Sequence, residues 1–362
     1  MQPTKILRDV TLLGLASSAL PAGFSVQDVA AHVIYSYPGV EPPPHLFDLI
    51  RQGKVGGIII FGENVNETLS DTIKLFQDAY QDGTGKSGFP LLTMTDQEGG
   101  KVRRLEGGPE LSAKQVGQSA DPGATAETTG KEAGNVLRQN NLNTNLAPVV
   151  DVFQAPGNFV DEYGRSYSNS GMVVADCAER FIEGASNEQV LSVAKHFPGL
   201  GAAASGQNTD EEPVTINSDR DTLEQVDMKP YHQLISNNIS MIMCSWAVYP
   251  AVDPDLPAGL SSKWVKNTLR DQLGFKGVTI TDAIEAGALH SFGNDAQRGV
   301  LAARAGMDLL LAAARNVTQG EAIVDALVNA LEVGYLDSTE FNAATERIMG
   351  LRGTLARGSL RM

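Results

Sequence analysis

Eight short apolar runs recur along this 362-residue chain, separated by stretches with helical periodicity, and no other feature narrows the possible folds so far. The runs lie near residues 31–35, 56–61, 91–95, 145–150, 191–195, 240–245, 277–281 and 307–311. Helical stretches at 69–81, 125–139, 172–184, 222–237, 262–273 and 296–305 fall between them. Apolar strands alternating with amphipathic helices imply a parallel sheet with right-handed crossovers. Eight such units predict an α/β fold, a single (β/α)8 TIM barrel over residues 24–362. An open doubly wound sheet competes, but a Gly-x-Gly-x-x-Gly turn after the first strand, usual there, is missing. The triple proline at 42–44 and residues 83–88 read as loops, and a helix over 338–355 is expected to cap the last barrel helices.

A hydrophobic share of 42% is ample for a large core, and the net charge of −15 argues against nucleic acid or an anionic membrane as partner. Cys177 and Cys244 form no metal pattern and sit in apolar surroundings, so they read as buried free thiols, with a disulfide left for the structure to judge. At the N-terminus Lys5 and Arg8 precede an apolar run at 10–19, followed by Leu-Pro-Ala-Gly at 20–23. Residues 1–23 therefore resemble a secretory leader. Asp9 and the lack of a clean Ala-x-Ala site leave a helix packed on the barrel as the other reading. The run is too short, and too interrupted by Pro21 and Gly23, for a membrane span. Sequons at Asn66, Asn238 and Asn316 permit glycosylation.

Three segments carry the chemistry. They are TDQEGGKVRRLEGG (95–108), AKHFPGLG (194–201) and TDAIEAGA (281–288). Each lies where an apolar run stops, so each delivers charged groups at a strand C-terminus, the active face of a barrel enzyme. Asp282 is the first charge after its strand and reads as a nucleophile or general base, or more plainly as a helix N-cap. Lys195 and His196 end strand five, where burial would be costly without a ligand or other partners; a satisfied core histidine is the plainer reading. Asp96, Glu98, Arg103 and Arg104 surround a Gly-Gly turn. They suit directed hydrogen bonds to sugar hydroxyls, or a structural ion pair.

Together these segments resemble glycoside hydrolase family 3, in its β-N-acetylglucosaminidase branch, with further matches in LAPVVDV (146–152), YGRSYS (163–168) and CSWAVYPAVD (244–253). The likeness spans residues 29–353 and points to the single-barrel form. It implies a retaining, exo-acting glycosidase with a carbohydrate partner and no cofactor or metal. Asp282 would be the nucleophile that forms a glycosyl-enzyme. Asp96, Arg104, Arg165, Lys195 and His196 would line the sugar subsite. Ala283, in place of a Trp, favours this branch over the β-glucosidases.

One departure stands out. The branch continues its AKHFPG block with a His–Asp acid/base pair, whereas positions 200 and 202 here are Leu and Ala. Trp246 stands where a His is common and Ala286 where a Met is common, both expected to tune the subsite. Asp210, carried by the GQNTDEEPV stretch with Glu211 and Glu212, is the replacement acid/base expected if the Gly/Ala/Ser loop at 199–206 is mobile. A solvated acidic turn is the plainer reading. Glu285 ranks second, one turn past Asp282 if a helix starts there. A barrel that binds glycan without cleaving it, and a phosphorylase or transglycosidase, remain as alternatives.

Overall fold

The computed structural model describes residues 20–358 and residue 360, apart from residues 22, 86 and 87. The leader expected over 1–23 therefore lies almost wholly outside the described residues. The expected barrel is present. Its strands are β1 (Val33–Tyr35), β2 (Gly57–Ile59), β3 (Leu92–Thr95), β4 (Thr144–Asn145), β5 (Leu191–Phe197), β6 (Met241–Cys244), β7 (Val278–Ala283) and β8 (Leu309–Leu311). All pair in parallel, each with its sequence neighbour, and β8 pairs with β1 to close the ring.

Side chains alternate across each strand, which produces two apolar layers. Ile34, Met94, Val193, Met241, Met243, Ile280 and Leu309 fill the barrel interior. Val33, Tyr35, Ile58, Ile242, Cys244 and Leu310 face outward to the helices. The barrel helices begin on ordinary signals. Asp121 caps Pro122–Gln139 and Asn294 caps Asp295–Ala305, each through its side chain.

Three expectations are corrected. Pro44 is not in a loop but opens the helix Pro44–Arg51, where a missing N–H costs nothing and the fixed φ is already helical. The helix Val317–Glu332 was not anticipated, because its periodicity follows so closely on the last strand. The C-terminal helix, Ser338–Ala356, does not merely cap other helices: its Ile348 and Leu351 join the interior cluster and plug the barrel floor. Arg352, fully buried, ties that helix down by donating to the carbonyls of Phe89 and Pro90, each at 2.7 Å.

Both cysteines are buried free thiols. Among the described residues no helix is long and apolar enough to cross a membrane, and no cluster of His, Cys, Asp and Glu could hold a metal ion.

Candidate active site

A cavity of about 410 Å³ opens at the C-terminal ends of the strands, and all seven sequence-nominated residues line it: Asp96, Arg104, Arg165, Lys195, His196, Asp210 and Asp282. Two strands reach it through irregular ends. On β5, Ala194 and Phe197 pair with Ile242 and Cys244, so three steps oppose two. On β7, Ile280 and Ala283 pair with Leu309 and Leu311 in the same way. An extra residue breaks the in–out alternation and re-aims the side chains beside it. That accounts for how two adjacent residues, Lys195 and His196, both face the cavity, and it falls on Asp282 in the second case. The Lys195–His196 peptide bond is cis.

At the base of the cavity sits a buried four-charge network. Glu98 takes Arg165 in a two-pronged grip, Nε to Oε2 at 2.9 Å and Nη2 to Oε1 at 2.8 Å. Lys195 Nζ lies 2.7 Å from Glu98 Oε1 and 2.7 Å from Asp96 Oδ1. Burial alone would push the Glu98 carboxyl up, but Arg165 and Lys195 outweigh it and hold it well below the usual carboxylate range. Burial likewise works against the Lys195 ammonium, and Asp96 and Glu98 overcome it, so the charge is kept. Arg104 adds a looser contact with Asp96 at 3.7 Å. Arg103 turns away, bonding the carbonyls of Gly100 and Gly107 to shape the turn. Glu98 was noticed in the sequence but not nominated; its partners lie 67 and 97 residues further on.

Asp151 lies within the matched segment LAPVVDV but was given no role. Fully buried, it holds His196 Nδ1 with Oδ2 at 2.8 Å, while Oδ1 accepts the backbone N–H groups of His196 and Leu200 at 3.1 and 2.8 Å. The signal was available, since Asp151 is the first charge after the apolar run 145–150, the same rule that singled out Asp282.

Asp282 does not cap a helix. Its Oδ1 accepts the next residue's N–H, from Ala283, at 2.8 Å, and the chain beyond runs irregularly to a short helix at Gly287–Phe292. Glu285 is accordingly not one helical turn on. It accepts from Ala313 N at 3.2 Å and Gln319 Nε2 at 3.0 Å, and burial raises its carboxyl.

The loop bearing Asp210 is anchored at its far end. Gly287 N–H donates to the Asp210 carbonyl at 2.7 Å and Ala288 N–H to that of Thr209 at 3.1 Å. Residue 287 has to be glycine, because a Cβ there would collide with the Glu211 carbonyl. Asp210 is exposed as a residue, yet its carboxyl is pushed up to about 6. Desolvation by the surrounding protein contributes most and the Asp282 carboxylate next, with His196 and Arg165 pulling the other way.

Leu200 and Ala286 line the cavity. Trp246 is buried against Gly259 and donates its indole N–H to the Ala283 carbonyl at 2.8 Å, so it supports the strand end beside Asp282.

Known proteins resemble this chain in sequence and overall fold. Residues 36–351 fit the model of the glycosyl hydrolase family 3 N-terminal domain. A secreted glycosyl hydrolase of Arthroderma benhamiae, itself uncharacterized, is 50% identical over 95% of this chain and 98% of its own. The structure of a family 3 β-N-acetylglucosaminidase from Paenibacillus superposes with a TM-score of 0.85 at 30% identity, covering 92% of this chain but only 63% of that one. A β-N-acetylhexosaminidase from Beutenbergia cavernae gives a TM-score of 0.80 at 30% identity, covering 92% of this chain and 100% of its own. The chain belongs to glycosyl hydrolase family 3.

Proposed function

We propose that this protein is a retaining, exo-acting β-N-acetylglucosaminidase in which Asp282 is the nucleophile and Asp210 the acid/base. Residues 24–362 form its barrel, and residues 1–23 serve as the leader of a secreted enzyme. The observation that carries the reading is the pair of unlike carboxyls in one cavity. Asp210 is pushed up to about 6 in part by Asp282, and a retaining glycosidase needs one carboxyl protonated and the other ionised across the scissile bond.

In the first step an Asp282 carboxylate oxygen attacks the anomeric carbon, the glycosidic C–O bond breaks, and Asp210 gives its proton to the departing oxygen. In the second, Asp210, now a carboxylate, takes a proton from water. That water attacks the anomeric carbon and frees Asp282. Lys195 and Arg165, held charged by Glu98, donate to ring hydroxyls, and Asp96 accepts from them at the far edge of the sugar. The β-N-acetylglucosaminide preference is supported by the named activities of the Paenibacillus and Beutenbergia proteins.

The test compares an activated aryl β-N-acetylglucosaminide with chitobiose, in wild type and Asp210→Asn. Loss of a general acid should cost about 10²–10⁴-fold on chitobiose and far less on the aryl substrate. Equal losses would remove Asp210 from the role. Leu200 and Ala202, at the positions of the branch's usual dyad, favour a second reading, a glycan-binding barrel. Wild type that binds N-acetylglucosamine yet cleaves neither substrate would establish that reading instead.

A further inference from the structure

Phe61 and Arg315 stand on the wall of the same cavity, and neither belongs to the charge network or to the two carboxyl steps. The Arg315 guanidinium carbon lies 4.3 Å from the Phe61 ring centroid, a cation–π contact. Arg315 also pairs with Glu63 at 3.4 Å, and about half of its side chain stays exposed.

Buried polar groups aim both residues. Phe61 N–H donates to Asn64 Oδ1 at 2.8 Å, and Asn64 in turn gives its amide hydrogens to the carbonyls of Tyr37 and Gly39, at 3.1 and 2.6 Å. Arg315 has a φ of 56°, a conformation that a residue with a Cβ rarely takes. It is held there by Ser36: Arg315 N–H donates to Ser36 Oγ at 2.8 Å, and the Ser36 hydroxyl donates to the Ala312 carbonyl at 2.8 Å. Ser36 and Asn64 are both buried. An unfavourable backbone conformation held by surrounding structure at a cavity wall points to function.

Strand order around the ring shows what this wall faces. The groups that grip the sugar follow β3, β4 and β5, and Asp282 ends β7. Phe61 and Arg315 follow β2 and β8, and with β1 between them they occupy a three-strand sector that none of those groups uses. We infer that the Phe61–Arg315 wall is the leaving-group subsite and takes a second pyranose ring. The apolar face of that ring packs on the pair, and one of its hydroxyl or acetamido oxygens accepts from the guanidinium. The inference rests on reading the cavity as an exo-acting glycosidase site.

Calorimetric titration of N-acetylglucosamine and chitobiose into an Asp282→Asn protein, in which neither sugar turns over, separates the two ideas. Arg315→Gly is the informative second change, because glycine suits a φ of 56° and the fold is retained. Chitobiose should bind more tightly than the monosaccharide, and Arg315→Gly should weaken chitobiose about tenfold while changing the monosaccharide less than about twofold. Phe61→Ala should repeat the pattern. A disaccharide with no advantage, or equal weakening of both sugars, overturns the subsite and leaves the glycosidase reading standing. Binding of neither sugar overturns both.

Discussion

Asp151 Oδ2 and His196 Nδ1 lie 2.8 Å apart, inside the protein and 45 residues apart in the chain. The same carboxylate holds the His196 and Leu200 amides, so one side chain sets both the ring and the start of the loop that carries Asp210. A carboxylate can only accept, which puts the hydrogen on Nδ1 and leaves Nε2 as the acceptor in the neutral ring. Asp151→Asn offers an amide there and favours the other tautomer. We expect kcat/KM to fall by about 10²-fold or more, by analogy with the wrong-tautomer histidine of a serine protease triad whose Asp is changed to Asn. The ring ¹⁵N shifts should report the exchanged tautomer. A drop in activity with unchanged shifts would mean that Asp151 acts only through the loop.

Glu98→Gln leaves two buried cations with half their compensation. Breaking a buried pair by removing one partner costs about 3–5 kcal/mol, and Arg165 and Lys195 both lose charge-assisted bonds. Denaturant titration should show a lower midpoint, and KM should rise. A variant as stable as wild type would show that Asp96 alone suffices to hold Lys195.

If Asp210 is the proton donor, its acid form must be present. With the carboxyl pushed up to about 6, kcat/KM for chitobiose should decline as pH rises through that value, about tenfold per unit beyond it. The aryl glycoside should be much less sensitive over the same range. Asp210→Asn should abolish the decline. Persistence of the same limb in that variant would assign it to another group, Glu285 being the first to examine.

A slow fluorinated sugar should trap the glycosyl-enzyme on Asp282, and Asp282→Ala should abolish hydrolysis without altering the fold. Peptide mapping identifies the modified residue. Label on any other carboxyl would reassign the nucleophile.

Burial places Asp227 among the most shifted groups, its carboxyl pushed up to about 8, with Gln154 Nε2 in contact with both its oxygens. A carboxyl raised in the folded state supports stability at low pH and withdraws it as pH climbs through the folded value. The melting temperature should therefore fall as pH rises from about 4, where the unfolded carboxyl ionises, to about 8 and level off above it, and Asp227→Asn should flatten that fall. An unchanged slope in the variant would assign the pH sensitivity elsewhere.

The strands, most of the helices and the position of Asp282 were legible in the chain because they depend on local pattern. A run of apolar residues and the first charge after it are neighbours in sequence, and the barrel turns that adjacency into a side chain on the active face. Tertiary structure decided the rest. The bulges that turn Lys195, His196 and Asp282 inward arise from mismatched register between strands, which no single strand encodes. Glu98 meets Arg165 across 67 residues, and Asp96 meets Lys195 across 99. Asp210 becomes a raised carboxyl through burial and the nearby Asp282, in a loop that Gly287 and Ala288 hold against the segment that follows β7. Burial and opposing charge determine what a carboxyl can do, and both are created only when distant segments pack together.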